Sequence, residues 1–588
     1  MPDGFPEPIP QAELNRLFPM LRPPMAQNTY EFGLTLGGTV SAGTYTAGVL
    51  DYFLEALDAW TRAKEDNDPD APMHNAILST IAGASGGAIN GAILTRLTGW
   101  EFPHGPVAAN PFYDLWVNGV DLAKLLSPDE PGVSGFAAIF NTSSFSVLAD
   151  GIIKTVGAPL GTSPDSPRRR RYLADPMRLF MMVANVTGIP YSIQFRGQSG
   201  LSHDLFAHAD FVRFGLTVPG GVGDAIGVRP DETALVCMSD ANWDMLAASA
   251  LATCAFPAAF RSRPLSRAWE TLGYRVATVP GETPGTIEVA QLIPRWEKMQ
   301  PGCATPGHFR TVNVDGGTHN NEPLEFTRVA LSGLNGRNRR KGNEADRGVI
   351  LIDPFSDPET LSLFDPPNFL DLLGPLVNAL VQQSRFKPED IALATDYDTY
   401  SRFLIAPSGP GHDGIDKSGS KVIASGGLGG FLGFVDKRFL DYDFRLGRRN
   451  AYEFLLDQFV LPGDNPIFQG KWSTAQLNTY QHAEKNPQTG KTEIFLPIIP
   501  LMRKLRDDPP KKMTAADWPR LPGNPPQLRP QVRGRLDAIY KSLKQEQWWP
   551  GTSGSLAADA AWKLFLRDKL EDAFAGKIET ALKDQNLV

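Results

Sequence analysis

The first hundred residues alternate between short apolar runs and stretches with helical spacing. Two apolar runs, "YEFGLTLGG" (30–38) and "NAILSTIAG" (75–83), each end in glycine. Each run precedes a stretch in which apolar residues recur every three or four positions, "AGTYTAGVLDYFLEALDAWTRAK" (42–64) and "GAINGAILTRL" (87–97). A strand, a glycine turn and a helix, repeated twice, are typical of a layered α/β sheet.

Further elements are expected downstream. Residues 178–195 predict two strands around the turn 187–190, and residues 242–260 predict a helix that ends near Pro257. Residues 100–175 combine two amphipathic helical patterns with many Pro and Gly, which favours a cap or an insertion. Three later apolar runs predict strands at 309–317, 348–355 and 401–408.

The C-terminal part of the chain changes character. A Pro-rich link at 507–530 precedes further helical patterns, and the last of these carries apolar residues interleaved with Lys and Asp. A helix of this kind either packs against the rest of the protein or lies on a membrane surface, and both alternatives stay open here. Its apolar residues are Trp562, Leu564, Phe565, Leu570 and Phe574.

Charge and cysteine content narrow the function classes. The chain has 588 residues and a formal net charge of -8, which argues against a dedicated nucleic-acid binder. Its three cysteines show no CxxC spacing, so neither a zinc site nor a disulfide framework is expected. The start of the chain does not have the pattern of a secretory signal, and no apolar run reaches the roughly 18 residues that span a bilayer. We expect a cytoplasmic protein whose membrane contact, if it has any, is peripheral.

A Gly-Ala-Ser-Gly-Gly turn joins the second strand to the second helix. Ser85 lies at its centre, in a G-x-S-x-G pattern over 83–87. Between a strand and a helix, such a turn presents the serine hydroxyl as a nucleophile, and the glycines tolerate the strained backbone. The first N–H groups of the helix point to the same place and can stabilise an oxyanion. The same letters also fit an ordinary loop of small residues, so the motif needs a partner.

A serine hydroxyl needs a base that removes its proton. Asp315 ends the apolar run "VNVDGG" and is the better candidate, although Asp-Gly-Gly is also typical of a plain turn. Of the eight histidines, His319 alone closely follows an expected strand end. A loop or packing role is expected for each of them, less strongly for His319. The alternative of a Ser-His-acid triad would rely on His482, which lies in a polar segment.

The glycine segment "LGGTVSAG" (36–43) is a second chemical element. It joins the first strand to the first helix and can supply backbone N–H groups. It is not a G-x-G-x-x-G motif, no acidic residue ends the next strand to hold a ribose, and the Lys of a phosphate loop is missing. A nucleotide site is therefore disfavoured.

Taken together, these segments resemble the patatin-like phospholipase family. The resemblance rests on their order along residues 30–455: "GGTVSAGTYTAGVLDYF", "GASGG", "DPMRLFMMVANVTGIPY", "ATCAFPAAF" and "VDGGTHNNEPLE". Downstream, "GGFLGFVDKRFLDYDFRLGRRNAYEFL" (429–455) is similar to a segment of bacterial patatin-like proteins. The resemblance implies a Ser–Asp dyad in which Ser85 is the nucleophile and Asp315 the base.

The resemblance also implies an oxyanion hole at Gly37, Gly38 and Thr39, to which Gly86 contributes. Here the chain departs from the family pattern G-G-G-x-R/K-G. Ala42 stands where the family has Arg or Lys, and residues 39 and 40 are Thr and Val where glycines are common. The departure concerns the oxyanion donors and the efficiency of the site, and it leaves the dyad intact.

The fold implied by the resemblance is a three-layer α/β/α patatin-like sandwich with a mainly parallel central sheet and a C-terminal helical extension. We expect an N-terminal extended segment at 1–27 and a catalytic domain at 28–460 with a helical insertion near 100–175. Residues 461–588 are expected to form a mainly helical extension.

The implied activity is that of a lipid acyl hydrolase. Such an enzyme, a phospholipase A, lysophospholipase or esterase, cleaves a fatty-acyl ester through an acyl-serine intermediate, and the resemblance implies a reaction that needs no metal or organic cofactor. The run "RRRRY" (168–172) either attracts anionic headgroups during peripheral membrane contact or is a solvated loop. The alternative function is that of a catalytically weak or inactive protein on the same fold, which binds lipid or serves as a scaffold.

Overall fold

Helices and strands alternate along most of the chain. The structure is a computed structural model, which describes residues 7–130, 137–154, 157–163, 166–194, 202–224, 226–237, 239–299, 302–305, 307–357, 379, 382–383, 385, 399–485, 490, 492–522, 528–545, 562 and 566–588. Its helices are α1 (Gln11–Leu17), α2 (Gly43–Glu65), α3 (Ser85–Leu97), α4 (Pro111–Tyr113), α5 (Leu122–Leu125), α6 (Ser143–Lys154), α7 (Trp243–Thr253), α8 (Glu270–Gly273), α9 (Leu324–Ser332), α10 (Lys437–Asp457), α11 (Thr474–Tyr480), α12 (Arg503–Asp507), α13 (Arg529–Gln545) and α14 (Arg567–Asp584).

The strands are β1 (Thr29–Leu36), β2 (Asn75–Gly83), β3 (Trp100–Glu101), β4 (Ala158–Pro159), β5 (Leu173–Gln194), β6 (Ser202–Thr217), β7 (Val222–Gly223), β8 (Thr233–Val236), β9 (Arg263–Ala268), β10 (Val276–Pro280), β11 (Ile287–Gln291), β12 (Ala304–Thr305), β13 (His308–Asp315), β14 (Arg347–Ile352), β15 (Arg402–Ile405), β16 (Ser408–Pro410), β17 (Asp416–Ser418), β18 (Val460–Pro462), β19 (His482–Lys485) and β20 (Thr492–Pro497).

A mainly parallel sheet forms the centre of the molecule. Five strands pair in parallel in the order β5-β2-β1-β14-β15. Every residue of β1 is buried, and so is every residue of β2 after the first. A strand that is buried along its whole length fits a parallel sheet covered on both faces. The expected α/β class with a mainly parallel central sheet is confirmed.

Helices cover both faces of this sheet. On β1, Thr35 hydrogen-bonds Thr327 of α9, with 2.8 Å between the two hydroxyl oxygens. The next residue, Leu36, lies against Gly91 of α3. Neighbouring side chains of a strand point to opposite faces, so α9 and α3 lie on opposite sides of the sheet. The layers are therefore helix, sheet and helix.

Two further helices, α2 and α10, cross at very short range on the α3 side. A side chain at Gly48 of α2 would collide with the carbonyl of Phe444 in α10. A side chain at Gly447 of α10 would collide with the carbonyl of Tyr45 in α2. The two glycines thus let the helix backbones touch, which fixes α2 and the turn at its N-terminus relative to the sheet.

Strand β5 determines where the ends of two other strands meet. Val183 of β5 pairs with Asp210 of β6 on one edge and with Asp315 of β13 on the other. Met181, two residues earlier, pairs with Gly83 of β2, and β2 lies on the same edge as β13 because β6 occupies the opposite edge. Since β2 runs parallel and β13 antiparallel to β5, their C-terminal ends converge.

The prediction of two strands within residues 178–195 is wrong. A single strand, β5, runs through this region, and its pairing with β6 is irregular between Ala184 and Ile189. The Gly188 N–H donates to the Asn185 side chain at 3.0 Å, and Gly188 has a φ of +79°. The turn residues form a bulge instead of a reversal, because β6 continues to pair with β5 on both sides of them.

The terminal segments also differ from expectation. Within residues 1–27, expected to be extended, α1 is helical and buries Leu14 and Leu17 in a small cluster with Phe18 and Val289. Within 461–588, expected to be mainly helical, β18, β20 and β19 form a three-stranded sheet. Residues 523–527, 546–561 and 563–565, which include Leu564 and Phe565 of the expected last helix, lie outside the described residues.

The arginine run at 168–171 contains a core residue. Arg170 is fully buried and donates to both carboxylate oxygens of Asp58, at 2.9 Å from Nε and 2.6 Å from Nη2. The Tyr172 hydroxyl donates to the same carboxylate at 2.7 Å. The run precedes Leu173, which pairs with Leu78 near the start of β2. It therefore lies at the end of the sheet away from Gly83 and Asp315.

We predict that Asp58→Ala lowers the free energy of unfolding by about 3–5 kcal/mol, because it leaves the Arg170 guanidinium buried without its counter-ion. Chemical denaturation measures the change. The matched control is Asp66→Ala at the end of the same helix, whose half-exposed ion pair with Arg62 contributes at most about 1 kcal/mol. Equal losses for the two variants would contradict the structural role of Arg170.

Candidate active site

Ser85 lies in a left-handed turn between β2 and α3. Its φ is +50°, a strained conformation for a residue with a side chain. Ser85 is 7% exposed, and Gly83 and Gly87 pack directly against neighbouring backbone, where a side chain would collide. The strand-turn-helix context expected for Ser85 is therefore present, and the N-terminus of α3 lies at its hydroxyl.

The Ser85 hydroxyl donates a hydrogen bond to Asp315. The distance from Ser85 Oγ to Asp315 Oδ2 is 2.7 Å, and the Gly317 N–H donates to the other carboxylate oxygen at 2.8 Å. Burial raises the pKa of Asp315 to about 6, against the lowering effect of these two hydrogen bonds. The two residues that the sequence singled out, 230 positions apart, are thus in direct contact.

The end of α7 and the residues that follow it hold Ser85 and Asp315 in place. The Thr253 hydroxyl accepts a hydrogen bond from the Ser85 backbone N–H at 2.9 Å. Two residues later, the carbonyl of Ala255 accepts from the Asp315 backbone N–H, also at 2.9 Å. From the sequence, these residues belong to a predicted helix and to the patatin-like resemblance, and neither gives them a role in the site. No local pattern marks Thr253, because its partner is distant in the chain.

The glycine turn after β1 supplies a different set of amides from the one expected. The Gly37 N–H donates to the carbonyl of Ile352 at 3.1 Å, and the Gly38 N–H donates to the carbonyl of Asn321 at 3.2 Å. Their expected role as oxyanion donors is corrected, because these two amides anchor the turn to the ends of neighbouring segments. Within the described residues, the N–H groups of Thr39 and Gly86 have no hydrogen-bond partner, so these two can receive an oxyanion.

Thr39 brings a second polar group to the turn. Its side chain is 1% exposed, and its hydroxyl has no hydrogen-bond partner among the described residues. The hydroxyl lies so close to Gly86 that a side chain there would collide with it. Val40, which follows, has a φ of +47° and borders the pocket at Ser85. The turn is thus packed directly onto the N-terminus of α3.

An apolar pocket begins at the dyad. Apart from Ser85 and Asp315, its lining is Val40, Gly86, Trp116, Val120, Leu125, Cys254, Phe256, Phe260 and Phe434. Burial raises the pKa of the Cys254 thiol well above its usual value, so this side chain is a neutral part of the wall. The cavity has a volume of about 20 Å³, which is about the space of one water molecule.

The histidines considered as bases lie elsewhere in the described structure. His319 Nδ1 is 2.9 Å from the Thr318 hydroxyl, and burial lowers the pKa of His319. His482 stacks on Phe495, with 5.9 Å between ring centroids, in the small sheet of β18–β20. Among the described residues, no histidine hydrogen-bonds Ser85 or Asp315.

The same described part of the chain contains neither a metal-binding cluster nor a membrane-spanning helix. No group of three or more His, Cys, Asp or Glu residues in the described ranges is arranged to hold a metal ion. The helices in those ranges include none with both the length and the apolar character needed to cross a bilayer.

We predict that Asp315→Asn stabilises the fold at neutral pH. The pKa of Asp315 rises from its usual 3.8 to about 6 on folding, so the folded state loses stability as pH rises from about 4 through about 6. The neutral amide avoids this loss, which is on the order of 3 kcal/mol above pH 7. Thermal unfolding between pH 4 and pH 8 should show the variant and the wild type converging at pH 4.

Asp210→Asn is the control of opposite sign. Asp210 is buried between Arg267 and Arg275, whose charges hold the pKa of this carboxyl well below its usual value. Removing its charge should destabilise the protein at neutral pH. If Asp315→Asn also destabilised the protein at pH 8, Asp315 would not be a carboxylate kept in an unfavourable apolar setting.

Comparison with known proteins gives a relative without a described activity. No protein-family model matches the chain. The uncharacterized protein y4iI of Sinorhizobium fredii (strain NBRC 101917 / NGR234) is 32% identical over 553 residues, which cover 88% of this chain and 76% of that protein. Identity at this level over most of both chains indicates common descent and a shared fold. The chain therefore belongs to the same family as protein y4iI of Sinorhizobium fredii.

Proposed function

We propose that the protein is a lipid acyl hydrolase of the patatin-like phospholipase type, which cleaves carboxylic esters through a Ser85–Asp315 dyad. The observation that carries the proposal is the 2.7 Å hydrogen bond from Ser85 Oγ to the buried Asp315 carboxylate. It occurs at a strained turn between a strand and a helix, the setting of a nucleophilic serine. The order of the glycine turn, the elbow and the Asp-Gly-Gly segment supports the same family resemblance.

The reaction follows from the contact between the two side chains. Ser85 Oγ attacks the ester carbonyl carbon while Asp315 Oδ2 accepts the hydroxyl proton. When the tetrahedral intermediate collapses, the bond to the alcohol breaks and Asp315 returns the proton to the leaving oxygen. Water then attacks the acyl-serine while Asp315 accepts its proton. The bond from the acyl carbon to Ser85 Oγ breaks, Asp315 returns the proton to Oγ, and the fatty acid is released.

The negative charge of the tetrahedral intermediate needs donors in place before the reaction. The amides of Thr39 and Gly86, which have no hydrogen-bond partner among the described residues, belong to the two turns next to Ser85. The positive end of the α3 dipole lies at Ser85 itself. Loss of one such donor typically costs about 10²–10³ in rate. Gly37 and Gly38 support this arrangement indirectly. The hydrogen bonds from Gly37 to Ile352 and from Gly38 to Asn321 hold the turn.

The pocket favours an apolar acyl group as the part of the substrate that is recognised. Its wall next to Ser85 is made of aromatic and aliphatic side chains, and none of the described residues that line it is basic. Burial of apolar surface contributes roughly 25 cal/mol per Å², so a fatty-acyl chain supplies binding energy there. Phospholipid, lysophospholipid and simpler esters all present such a chain, and a peripheral contact with a membrane would deliver it.

The alternative function, a lipid binder or scaffold on the same fold, is less well supported. A binder has no need for a serine in a left-handed turn or for a carboxylate with a pKa raised to about 6. Both features cost stability. Strain and perturbed pKa values concentrate at sites where chemistry requires them.

We predict that Ser85→Ala lowers kcat/KM for p-nitrophenyl butyrate by at least about 10³-fold and that Asp315→Asn lowers it by about 10²–10⁴-fold. A fluorophosphonate probe should label the wild type and not Ser85→Ala. Mass spectrometry of the labelled peptide identifies the modified residue.

Ser79→Ala and His319→Ala are the matched controls for these variants. Ser79 is a buried serine of the preceding strand, and both controls should keep at least about a third of the wild-type rate. If the wild type neither reacts with the probe nor hydrolyses esters or mixed phospholipid vesicles, the hydrolase proposal fails, and vesicle binding without turnover would favour the lipid-binding alternative.

The pH profile tests which group is the base. The proposed mechanism needs Asp315 as the carboxylate, and its pKa is about 6. We therefore predict that log kcat/KM rises with a slope of about one below pH 6 and is level between pH 7 and pH 8. A profile that keeps its shape in Asp315→Asn but loses its acid limb in His319→Ala would assign the base to the histidine instead.

A further inference from the structure

Two phenylalanines separate the acyl pocket from solvent. Phe256 and Phe260 both line the pocket, and both are half-buried. A side chain that borders the cavity and still reaches water forms the wall between them. Because the cavity is about 20 Å³, an acyl chain enters only when this wall moves outward.

A second layer of aromatic rings supports this wall from outside. Phe431 packs against Phe256 and Phe260, with ring centroids 6.2 Å and 5.9 Å apart. Phe140 packs against Phe260 at 5.9 Å and against Phe431 at 5.8 Å. The four rings come from three separate segments of the chain, and we call them the aromatic wall.

The C-terminal helix α14 contacts the aromatic wall through the ring of Phe574. Phe574 packs against Phe140 with ring centroids 6.1 Å apart and is itself half-buried. Phe574 is thus the outermost of a series of rings in contact that leads from solvent to the pocket at Ser85.

The neighbouring helix α13 fixes α14 to the segment that carries Phe140. Arg535 of α13 donates to the carbonyls of Ala138 and Ile139 at 2.9 Å and 2.7 Å. Arg533 of α13 binds Glu571 of α14 at 2.7 Å. The two C-terminal helices are therefore attached to one another and to the chain next to the aromatic wall.

The segment that carries Phe431 contains three consecutive residues in the left-handed region. Leu428, Gly429 and Gly430 follow one another with φ values of +54°, +60° and +90°. For Leu428 this is a strained conformation, and the glycines have wide conformational freedom. The segment before them is anchored, since the Asp443 carboxylate accepts from the N–H groups of Ala424 and Ser425. The Ser41 hydroxyl also donates to the Gly430 carbonyl, so the position of Phe431 depends on this hydrogen bond and on the rings packed against it.

We propose that Phe574 is a specificity-determining residue: by holding Phe140, and through it Phe260 and Phe431, against the pocket, it limits the length of the acyl chain that the site accepts. The inference rests on the proposed hydrolase function and assigns a role in substrate choice to the C-terminal helices. Short acyl chains need a small displacement of the aromatic wall, whereas long chains need the whole stack to move.

The test compares hydrolysis of p-nitrophenyl butyrate and p-nitrophenyl dodecanoate by the full-length protein. Phe574→Ala removes the outer support, so the kcat/KM ratio of dodecanoate to butyrate should rise roughly tenfold, with little change for butyrate. Phe574→Leu should give an intermediate ratio, and it replaces the alanine variant if that one fails to fold.

Leu570→Ala is the matched control. Leu570 precedes Phe574 by one turn of α14 and is 46% exposed, so its removal should leave the ratio unchanged. A lower melting temperature of the Phe574 variants with an unchanged ratio would reduce Phe574 to a structural residue and overturn the proposal. An equal fall in rate for both esters would do the same.

A binding experiment separates this proposal from the hydrolase proposal. In the Ser85→Ala background no turnover is expected, and calorimetry can measure binding of dodecanoate directly. Adding Phe574→Ala should tighten that binding, and unchanged affinity would contradict the role of the aromatic wall. If the wild type proved inert on esters but Phe574→Ala still tightened the binding of dodecanoate, the hydrolase proposal would fail. The role of the aromatic wall in limiting access to the pocket would stand.

Discussion

The hydrogen bond between Ser85 and Asp315 depends on one constraint, the meeting of β2 and β13 along a single edge of β5. Gly83 pairs with Met181 and Asp315 pairs with Val183, so the two catalytic candidates are placed by strand register and not by loop flexibility. A shift of one residue in the pairing of β13 with β5 would turn the Asp315 side chain to the opposite face of the sheet. The bulge in β5 lies beyond these pairs and leaves them undisturbed.

The surrounding structure offsets the unfavourable features of this site. The positive φ of Ser85, the raised pKa of Asp315 and the unpartnered hydroxyl of Thr39 each cost on the order of 1–3 kcal/mol. They persist because α3 is buried along its whole length and because α2 is fixed by its crossing with α10. A rigid setting of this kind holds reacting groups in position before substrate arrives.

Local features could be predicted from the sequence, and long-range ones could not. The apolar runs and glycines that define β1, β2 and the turn at Ser85 are contiguous, so pattern alone identified them. Thr253 and Ala255 act through hydrogen bonds to residues far along the chain, which no local spacing encodes. Gly37 and Gly38 belong to the glycine turn that the family resemblance marks as an oxyanion hole. Their hydrogen-bond partners, Ile352 for Gly37 and Asn321 for Gly38, come from segments that only the folded sheet brings close.

In the proposed hydrolase, different parts of the fold position the dyad and control the entry of the acyl chain. The dyad is set by the backbone pairing of a parallel sheet, which tolerates little change. The aromatic wall is assembled from side-chain packing between residues 140, 256, 260 and 431, and its outer contact belongs to a helix near residue 574. Side-chain packing of this kind accepts substitutions of similar volume. Under the proposed function, substrate range can therefore vary through the C-terminal helices while Ser85 and Asp315 stay in place.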